Sequence, residues 1–142
     1  MVLGEHGDSE VAAFSSVRIG GQSLDGFGNK MALATDRRTI EQEIRGAGYD
    51  IIAGKGYTSF GIATAIVRIC EAIVRDERAV LPVSSLLTGQ LGLSNLYLSL
   101  PCILGAGGIQ RVLVPTLNTS ELAELMSSAA VIRAAITAMD AG

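Results

Sequence analysis

The chain of 142 residues contains no tryptophan, one histidine, two cysteines and three prolines. Aromatic residues make up 4% of the chain and charged residues 18%, whereas 49% of the residues are hydrophobic. The net charge is −3 and no basic patch is present, so a nucleic-acid partner is not expected. The large hydrophobic share indicates either a large core or an apolar surface that meets a partner.

The scarcity of histidine and cysteine also limits metal and redox chemistry. One histidine and two separated cysteines match no metal-ligand spacing, so we expect no metal site. Cys70 and Cys102 lie in apolar segments and are predicted to be buried free thiols of a cytoplasmic protein. No uninterrupted apolar run reaches the roughly 18 residues of a membrane span, and the N-terminus does not read as a signal peptide. We therefore expect no membrane partner and a single domain over residues 1–142.

Strand-like and turn-like patterns dominate the first thirty residues. Residues 1–4 resemble the end of a strand. The alternation over 14–19, the pair Gly20-Gly21 and the following residues predict a hairpin with a glycine turn. The polar, glycine-rich stretch 25–30 is predicted to be a surface loop.

Helical periodicity begins at about Asp36, and the glycines at 46, 48, 54 and 56 predict a break near the end of this helix. A second helix is predicted from Thr58 to about Arg75. Its polar residues form one narrow stripe, so we expect it to be buried on most of its circumference, in the core or in a subunit interface. Three antiparallel strands are predicted over 79–87, 96–104 and 109–114. A last helix should follow Asn118, with Glu121 completing a capping box.

The single histidine lies in the segment Gly4-Glu5-His6-Gly7-Asp8-Ser9. Histidine suits proton transfer because it alone has an unperturbed pKa near neutrality. Glycines on both sides of it allow the backbone to pass close to a substrate. From these residues alone, an ordinary histidine in a glycine-rich loop remains the more frequent case.

A second segment of chemical interest is Lys55-Gly56-Tyr57-Thr58-Ser59-Phe60-Gly61-Ile62. Thr58 would place a hydroxyl at a helix N-terminus, where backbone N–H groups favour anions such as a substrate carboxylate. A plain helix start, capped by Thr58 or Ser59, explains the same residues without any function.

Together, the His6 segment and Lys55-Gly56-Tyr57-Thr58-Ser59 resemble the C-terminal half of NAD-dependent L-lactate dehydrogenases, in the lactate/malate dehydrogenase family. Pro82-Val83-Ser84 and the stretch 98–105 continue the resemblance in order, and it extends from Val2 to about Ala138. It implies an α+β fold with antiparallel sheets and long helices, and a homotetramer for the full enzyme. It places no Rossmann domain in this chain and implies a nucleotide-binding half that precedes it.

The resemblance also implies roles for three residues. His6 corresponds to the catalytic histidine that gives a proton to the pyruvate carbonyl oxygen as NADH delivers hydride, and takes it back in the reverse reaction. Thr58 corresponds to the threonine near the substrate. Ile62 corresponds to the apolar residue packed on the nicotinamide ring of NAD, where it excludes water.

The nucleotide-binding half would carry the G-x-G-x-x-G fingerprint, the aspartate that orients the histidine and the arginine that grips the substrate. We therefore expect the isolated chain to bind NAD weakly or not at all, to lack dehydrogenase activity and to self-associate through apolar surface.

Two related substrate classes remain open: branched-chain L-2-hydroxy acids of the hydroxyisocaproate type, for which Gly46 and Gly48 could leave room, and malate. A non-catalytic association module is the alternative of another class.

Overall fold

The computed structural model describes residues 1–27 and 30–140, and for residues 30–35 it describes the backbone alone. The chain divides into two compact units: residues 1–28, 82–101 and 112–142 form the first, and 29–81 with 102–111 form the second. The elements in order are β1 (Val2–Leu3), β2 (Val11–Ala12), β3 (Arg18–Ile19), β4 (Gln22–Ser23), α1 (Leu24–Phe27), α2 (Lys30–Lys55), α3 (Phe60–Val74), β5 (Ala79–Thr88), β6 (Ser94–Gly105), β7 (Gly108–Val112) and α4 (Thr119–Asp140).

The strands form three small sheets. Strand β1 pairs antiparallel with β2, and β3 pairs antiparallel with β4. Gly20 and Gly21 join β3 to β4 with φ values of +57° and +83°, which confirms the predicted glycine turn. The third sheet has the order β5-β6-β7, close to the three strands predicted.

Two predictions for the N-terminal region are wrong. Phe14–Ser16 is a 3₁₀ helix and not a strand, because the Val17 N–H donates to the Phe14 carbonyl at 2.9 Å. The stretch 25–30 is not simply a loop, since α1 occupies its first part, where the Gly26 N–H donates to the Ser23 hydroxyl at 3.3 Å. Gly28 and Asn29 lie outside the described residues.

The core of the first unit consists of apolar side chains from β1, β2, β5, β6 and α4. Over residues 96–100 of β6 the burial alternates: Leu96, Leu98 and Leu100 are at most 1% exposed, whereas Tyr97 is exposed and Ser99 is half-buried. The core residues are Leu3, Val11, Ala13, Leu87, Leu93, Leu96, Leu98, Leu100, Leu125 and Ala129.

Helix α4 begins with the predicted capping box. The Glu121 N–H donates to Asn118 Oδ1 at 2.9 Å, and the Asn118 N–H donates to Glu121 Oε2 at 3.1 Å. By length and composition alone α4 could cross a membrane, although no apolar run of that length was expected. Its residues Leu125 and Ala129 belong to the core of the first unit. A single helix of this kind is weak evidence for a membrane span.

The two helices of the second unit differ from the prediction in their bounds. Helix α2 begins at Lys30 and continues through Gly46, Gly48 and Gly54, so single glycines do not interrupt it. It ends at Lys55, where the Gly56 N–H donates to the Ile52 carbonyl at 2.7 Å, and the break near Gly54–Gly56 is confirmed.

Helix α3 begins two residues later than predicted, and it is not a core helix of this chain. Only Ala72 of this helix is fully buried. Its exposed apolar residues include Phe60, Ile62, Ile66, Val67 and Val74. Cys70 on the same helix is exposed, against the prediction, whereas Cys102 is buried. An apolar sequence pattern predicts that a helix side is covered but does not say whether the cover belongs to the same chain. The interface interpretation of α3 stays a prediction.

Candidate functional site

His6 lies in the connection between β1 and β2, three residues beyond the end of β1. The backbone just before it is fixed on β6: the Gly4 N–H donates to the Ser99 carbonyl at 3.0 Å, and the Ser99 N–H donates to the Gly4 carbonyl at 3.1 Å. Gly4 has a φ of +94°. A Cβ atom there would lie 2.6 Å from Ser128 Oγ, so both the backbone angle and the space require glycine.

The loop itself is tied to α4 by a buried serine. The Glu5 N–H donates to Ser128 Oγ at 2.7 Å, and the Ser9 hydroxyl donates to Glu5 Oε2. The Ser9 and Ser128 hydroxyl oxygens lie 3.3 Å apart. A turn on the other side of His6 closes with the Glu10 N–H donating to the Gly7 carbonyl at 3.1 Å. The backbone is therefore held on both sides of the histidine.

The His6 side chain itself is exposed. Across residues 1–27 and 30–140 no hydrogen bond to the imidazole is formed. The arrangement thus combines a held backbone with an imidazole that a substrate or another protein segment can reach. Such a group can act as a general acid or base.

Thr58 and Ile62 lie in the second unit, at the N-terminal end of α3, whereas His6 belongs to the first unit. Thr58 is exposed and is not the cap of α3, since Ser59 occupies the N-cap position. The Ser59 carbonyl accepts the Ala63 N–H at 3.0 Å, and its hydroxyl makes no capping bond. The first N–H groups of α3 therefore lack a side-chain cap, which leaves them able to bind an anion or water.

Ile62 in the first turn of α3 is 59% exposed. It offers an apolar surface of the kind that a flat aromatic ring could cover. Nearby in sequence, the Lys55 ammonium lies 4.9 Å from the centre of the Tyr57 ring and 4.6 Å from that of Phe60. These cation–π contacts place a positive charge at the junction of α2 and α3.

Among the described residues, no group of three or more His, Cys, Asp or Glu side chains could hold a metal ion. Sequence reasoning singled out the segments that contain Gly4 and Ser99 but missed their anchoring role, and it missed Ser128 altogether. A signal for Ser128 was available, because a serine within the apolar face of a predicted helix needs a hydrogen-bond partner.

The family model for the lactate/malate dehydrogenase alpha/beta C-terminal domain matches residues 1–141. The chain belongs to the lactate/malate dehydrogenase family. Both the resemblance in sequence and the predicted α+β fold of this family's C-terminal domain are confirmed.

Relatives within this family include the L-lactate dehydrogenase of Clostridium perfringens (strain SM101 / Type A), 38% identical over 135 residues, and that of Pediococcus acidilactici, 39% identical over 137 residues. The alignments cover 93% and 96% of this chain, but only 43% and 42% of the two relatives. The chain therefore spans less than half the length of these enzymes.

Solved structures of the family give the same result. The minor L-lactate dehydrogenase from Enterococcus mundtii in a ligand-bound form superposes with a TM-score of 0.87 at 33% identity, covering 94% of this chain and 43% of that one. MGS-M5, a lactate dehydrogenase from a Medee basin deep-sea metagenome library, superposes with a TM-score of 0.91 at 33% identity, covering 98% and 45%.

Proposed function

We propose that residues 1–142 form the substrate domain of a cytoplasmic, NAD-dependent L-lactate dehydrogenase, in which His6 is the proton donor and acceptor. The observation that carries this proposal is the exposed His6 imidazole on a backbone held by Ser99 and Ser128. Relatives that are L-lactate dehydrogenases support the choice of reaction.

In this proposal His6, as an imidazolium, donates its proton to the carbonyl oxygen of pyruvate, which becomes the hydroxyl oxygen of L-lactate. In the reverse direction the neutral imidazole takes the same proton back. NADH, when bound, supplies the hydride to the carbonyl carbon. Proton transfer by a positioned side chain contributes about 10²- to 10⁴-fold to such a rate.

Thr58 and Ile62 have complementary roles in the proposal. The exposed Thr58 hydroxyl stands before the uncapped first turn of α3, where N–H groups can receive a carboxylate of the substrate. The exposed Ile62 side chain fits the nicotinamide ring, because an apolar contact there excludes water from the path of the hydride. The remaining groups of the site belong to the nucleotide-binding half, so the chain alone is expected to be inactive.

The test is to mix this chain with the separately produced nucleotide-binding half of a relative and to follow NADH consumption. Pyruvate, 4-methyl-2-oxopentanoate and oxaloacetate serve as substrates. We expect pyruvate to be reduced fastest and neither half to be active alone. Faster turnover of the second or third substrate would point to a branched-chain 2-hydroxy acid or malate dehydrogenase. Association without any turnover would favour the non-catalytic module.

The role of His6 is tested by His6→Asn, which should lower kcat of the mixture by about 10²- to 10⁴-fold. Because the chain has one histidine, acylation by diethyl pyrocarbonate before mixing modifies a single imidazole and should have the same effect. Hydroxylamine should restore the activity. A His6→Asn mixture that turns over at the unmodified rate would contradict the proposal.

Ile62→Ala tests the cofactor contact and has a matched control on the same helix. Ile66 is 52% exposed, against 59% for Ile62, so Ile66→Ala removes an equal side chain at similar exposure. We expect Ile62→Ala to raise KM for NADH while Ile66→Ala leaves it unchanged. Equal effects of the two variants would remove the support for a nicotinamide contact.

A further inference from the structure

We propose that Ser128 is a positioning residue for His6: from helix α4, its hydroxyl holds the backbone that presents the imidazole. The inference deepens the proposed function and rests on the role of His6 in it. Ser128 touches no reacting atom and acts only through the loop.

The hydrogen bonds of Ser128 form a closed set with the residues around His6. The Glu5 N–H donates to Ser128 Oγ at 2.7 Å, and Ser128 Oγ lies 3.3 Å from the Ser9 hydroxyl. The Ser9 proton is directed to Glu5 Oε2, so the Ser128 hydroxyl can supply the proton of its contact with Ser9. The hydrogen bonds thus connect the Glu5 N–H, through Ser128 and Ser9, to the Glu5 carboxylate. Glu5 and Ser9 lie on either side of His6 in the sequence.

Space around Ser128 adds a second constraint. Gly4, two residues before His6, approaches so closely that a Cβ there would lie 2.6 Å from Ser128 Oγ and 3.2 Å from Ser128 Cβ. Residue 128 must therefore be small as well as hydrogen-bonding. A larger side chain would displace the Gly4 backbone and break its two hydrogen bonds to Ser99.

The neighbouring serine shows that Ser128 is used differently from an ordinary helix serine. The Ser127 hydroxyl is exposed and donates to the Ala123 carbonyl of its own helix at 3.1 Å. Ser128 is fully buried, with 0% exposure, beside the core residues Leu125 and Ala129. Burying a hydroxyl is unfavourable unless it is hydrogen-bonded, and its partners here come from the His6 loop.

Ser128→Ala and the matched control Ser127→Ala are compared first by NMR in the chain alone. The single histidine gives one set of imidazole signals, which needs no assignment by mutagenesis. For Ser128→Ala we expect the Glu5 amide to exchange about ten-fold faster or more, as the loss of a bond of about 1.4 kcal/mol would give. The His6 imidazole signals should shift and broaden. Ser127→Ala should leave both measurements unchanged.

The second comparison uses the mixture with a nucleotide-binding half. Ser128→Ala is expected to lower kcat by about ten- to a hundred-fold with little change in KM for pyruvate, because the imidazole is displaced while substrate binding is not. Ser128→Thr, which keeps the hydroxyl but adds a methyl group, should not restore the rate. Ser128→Cys, which is closer in size, should restore part of it.

Ser9→Ala gives an independent route, since this half-buried loop residue can be changed without affecting the core. We expect a smaller change of the same His6 signals. Unchanged Glu5 exchange and unchanged His6 signals in both Ser128→Ala and Ser9→Ala would overturn the inference. If the His6 signals move but the unmodified mixture reduces no 2-oxo acid, positioning by Ser128 holds and the proposed function fails.

Discussion

Replacing Gly4 by alanine is predicted to destabilise the protein much more than the same replacement at Gly21. Both glycines have positive φ, +94° and +83°, and both belong to the first unit. They differ in their surroundings: a Cβ at Gly21 would meet nothing within 4 Å, whereas one at Gly4 would lie 2.6 Å from Ser128 Oγ. The pair therefore separates the cost of the backbone angle from the cost of the overlap.

The magnitude follows from two contributions. An alanine held in the left-handed region costs about 1–2 kcal/mol, which is the whole effect expected at Gly21. At Gly4 the overlap also drives Ser128 away from the Glu5 N–H, and losing a buried hydrogen bond adds about 1–3 kcal/mol. We therefore expect Gly4→Ala to lower the free energy of unfolding by about 2–5 kcal/mol.

Urea denaturation measures this difference, provided that the m values of the variants agree. The double variant Gly4→Ala with Ser128→Gly removes the hydroxyl that clashes, so the two substitutions should cost less together than the sum of their separate costs. Equal midpoints for Gly4→Ala and Gly21→Ala would refute the reasoning, because the overlap at Gly4 would then cost nothing.

Two further predictions concern the stability of the first unit. Glu121 is 7% exposed, and its carboxylate accepts hydrogen bonds from two backbone N–H groups. Glu121→Ala should therefore lower the free energy of unfolding by about 2–4 kcal/mol. Glu124 is exposed, so Glu124→Ala should change it by no more than about 0.5 kcal/mol. Similar urea midpoints for the two variants would contradict this. Leu100 is fully buried in β6 and Leu86 is 46% exposed in β5, so Leu100→Ala should cost about 2–5 kcal/mol and Leu86→Ala clearly less. Calorimetric melting of both variants checks the order, and an equal loss would be inconsistent with the assigned core.

Local patterns in the sequence predicted those elements whose signals are local. The capping box of α4 needs only Asn118 and Glu121, three residues apart, and it was predicted correctly. The strand predicted over 96–104 likewise matches the central part of β6, which extends from Ser94 to Gly105. The segment Phe14–Ser16 was predicted wrongly because the Ser15 N–H is satisfied by Glu121 Oε1 at 2.9 Å, a partner 106 positions away. No pattern within that segment carries this information.

The sequence could not decide between the core and an interface for α3, and the reason is different. The periodicity of its sequence shows which sides of the helix are apolar, and it does so correctly. Burial, however, depends on what lies against each side, and the described residues cover fully only Ala72 of this helix. The exposure of Cys70 follows directly from this, because a thiol on an uncovered apolar helix is accessible whatever its neighbours in sequence are.

The candidate site depends both on a local sequence signal and on residues that are distant in the sequence. His6 was singled out by its hexapeptide together with the family resemblance, but the features that hold it come from Ser99 in β6 and Ser128 in α4, more than ninety positions further along the chain. What could have been predicted is that a serine on the core face of α4 has a partner, since buried hydroxyls are almost always hydrogen-bonded. Which partner it has depends on the fold, and the fold brings it to the Glu5 N–H. In α4 the buried Ser128, next to the exposed Ser127, is the position at which this helix supports the His6 loop.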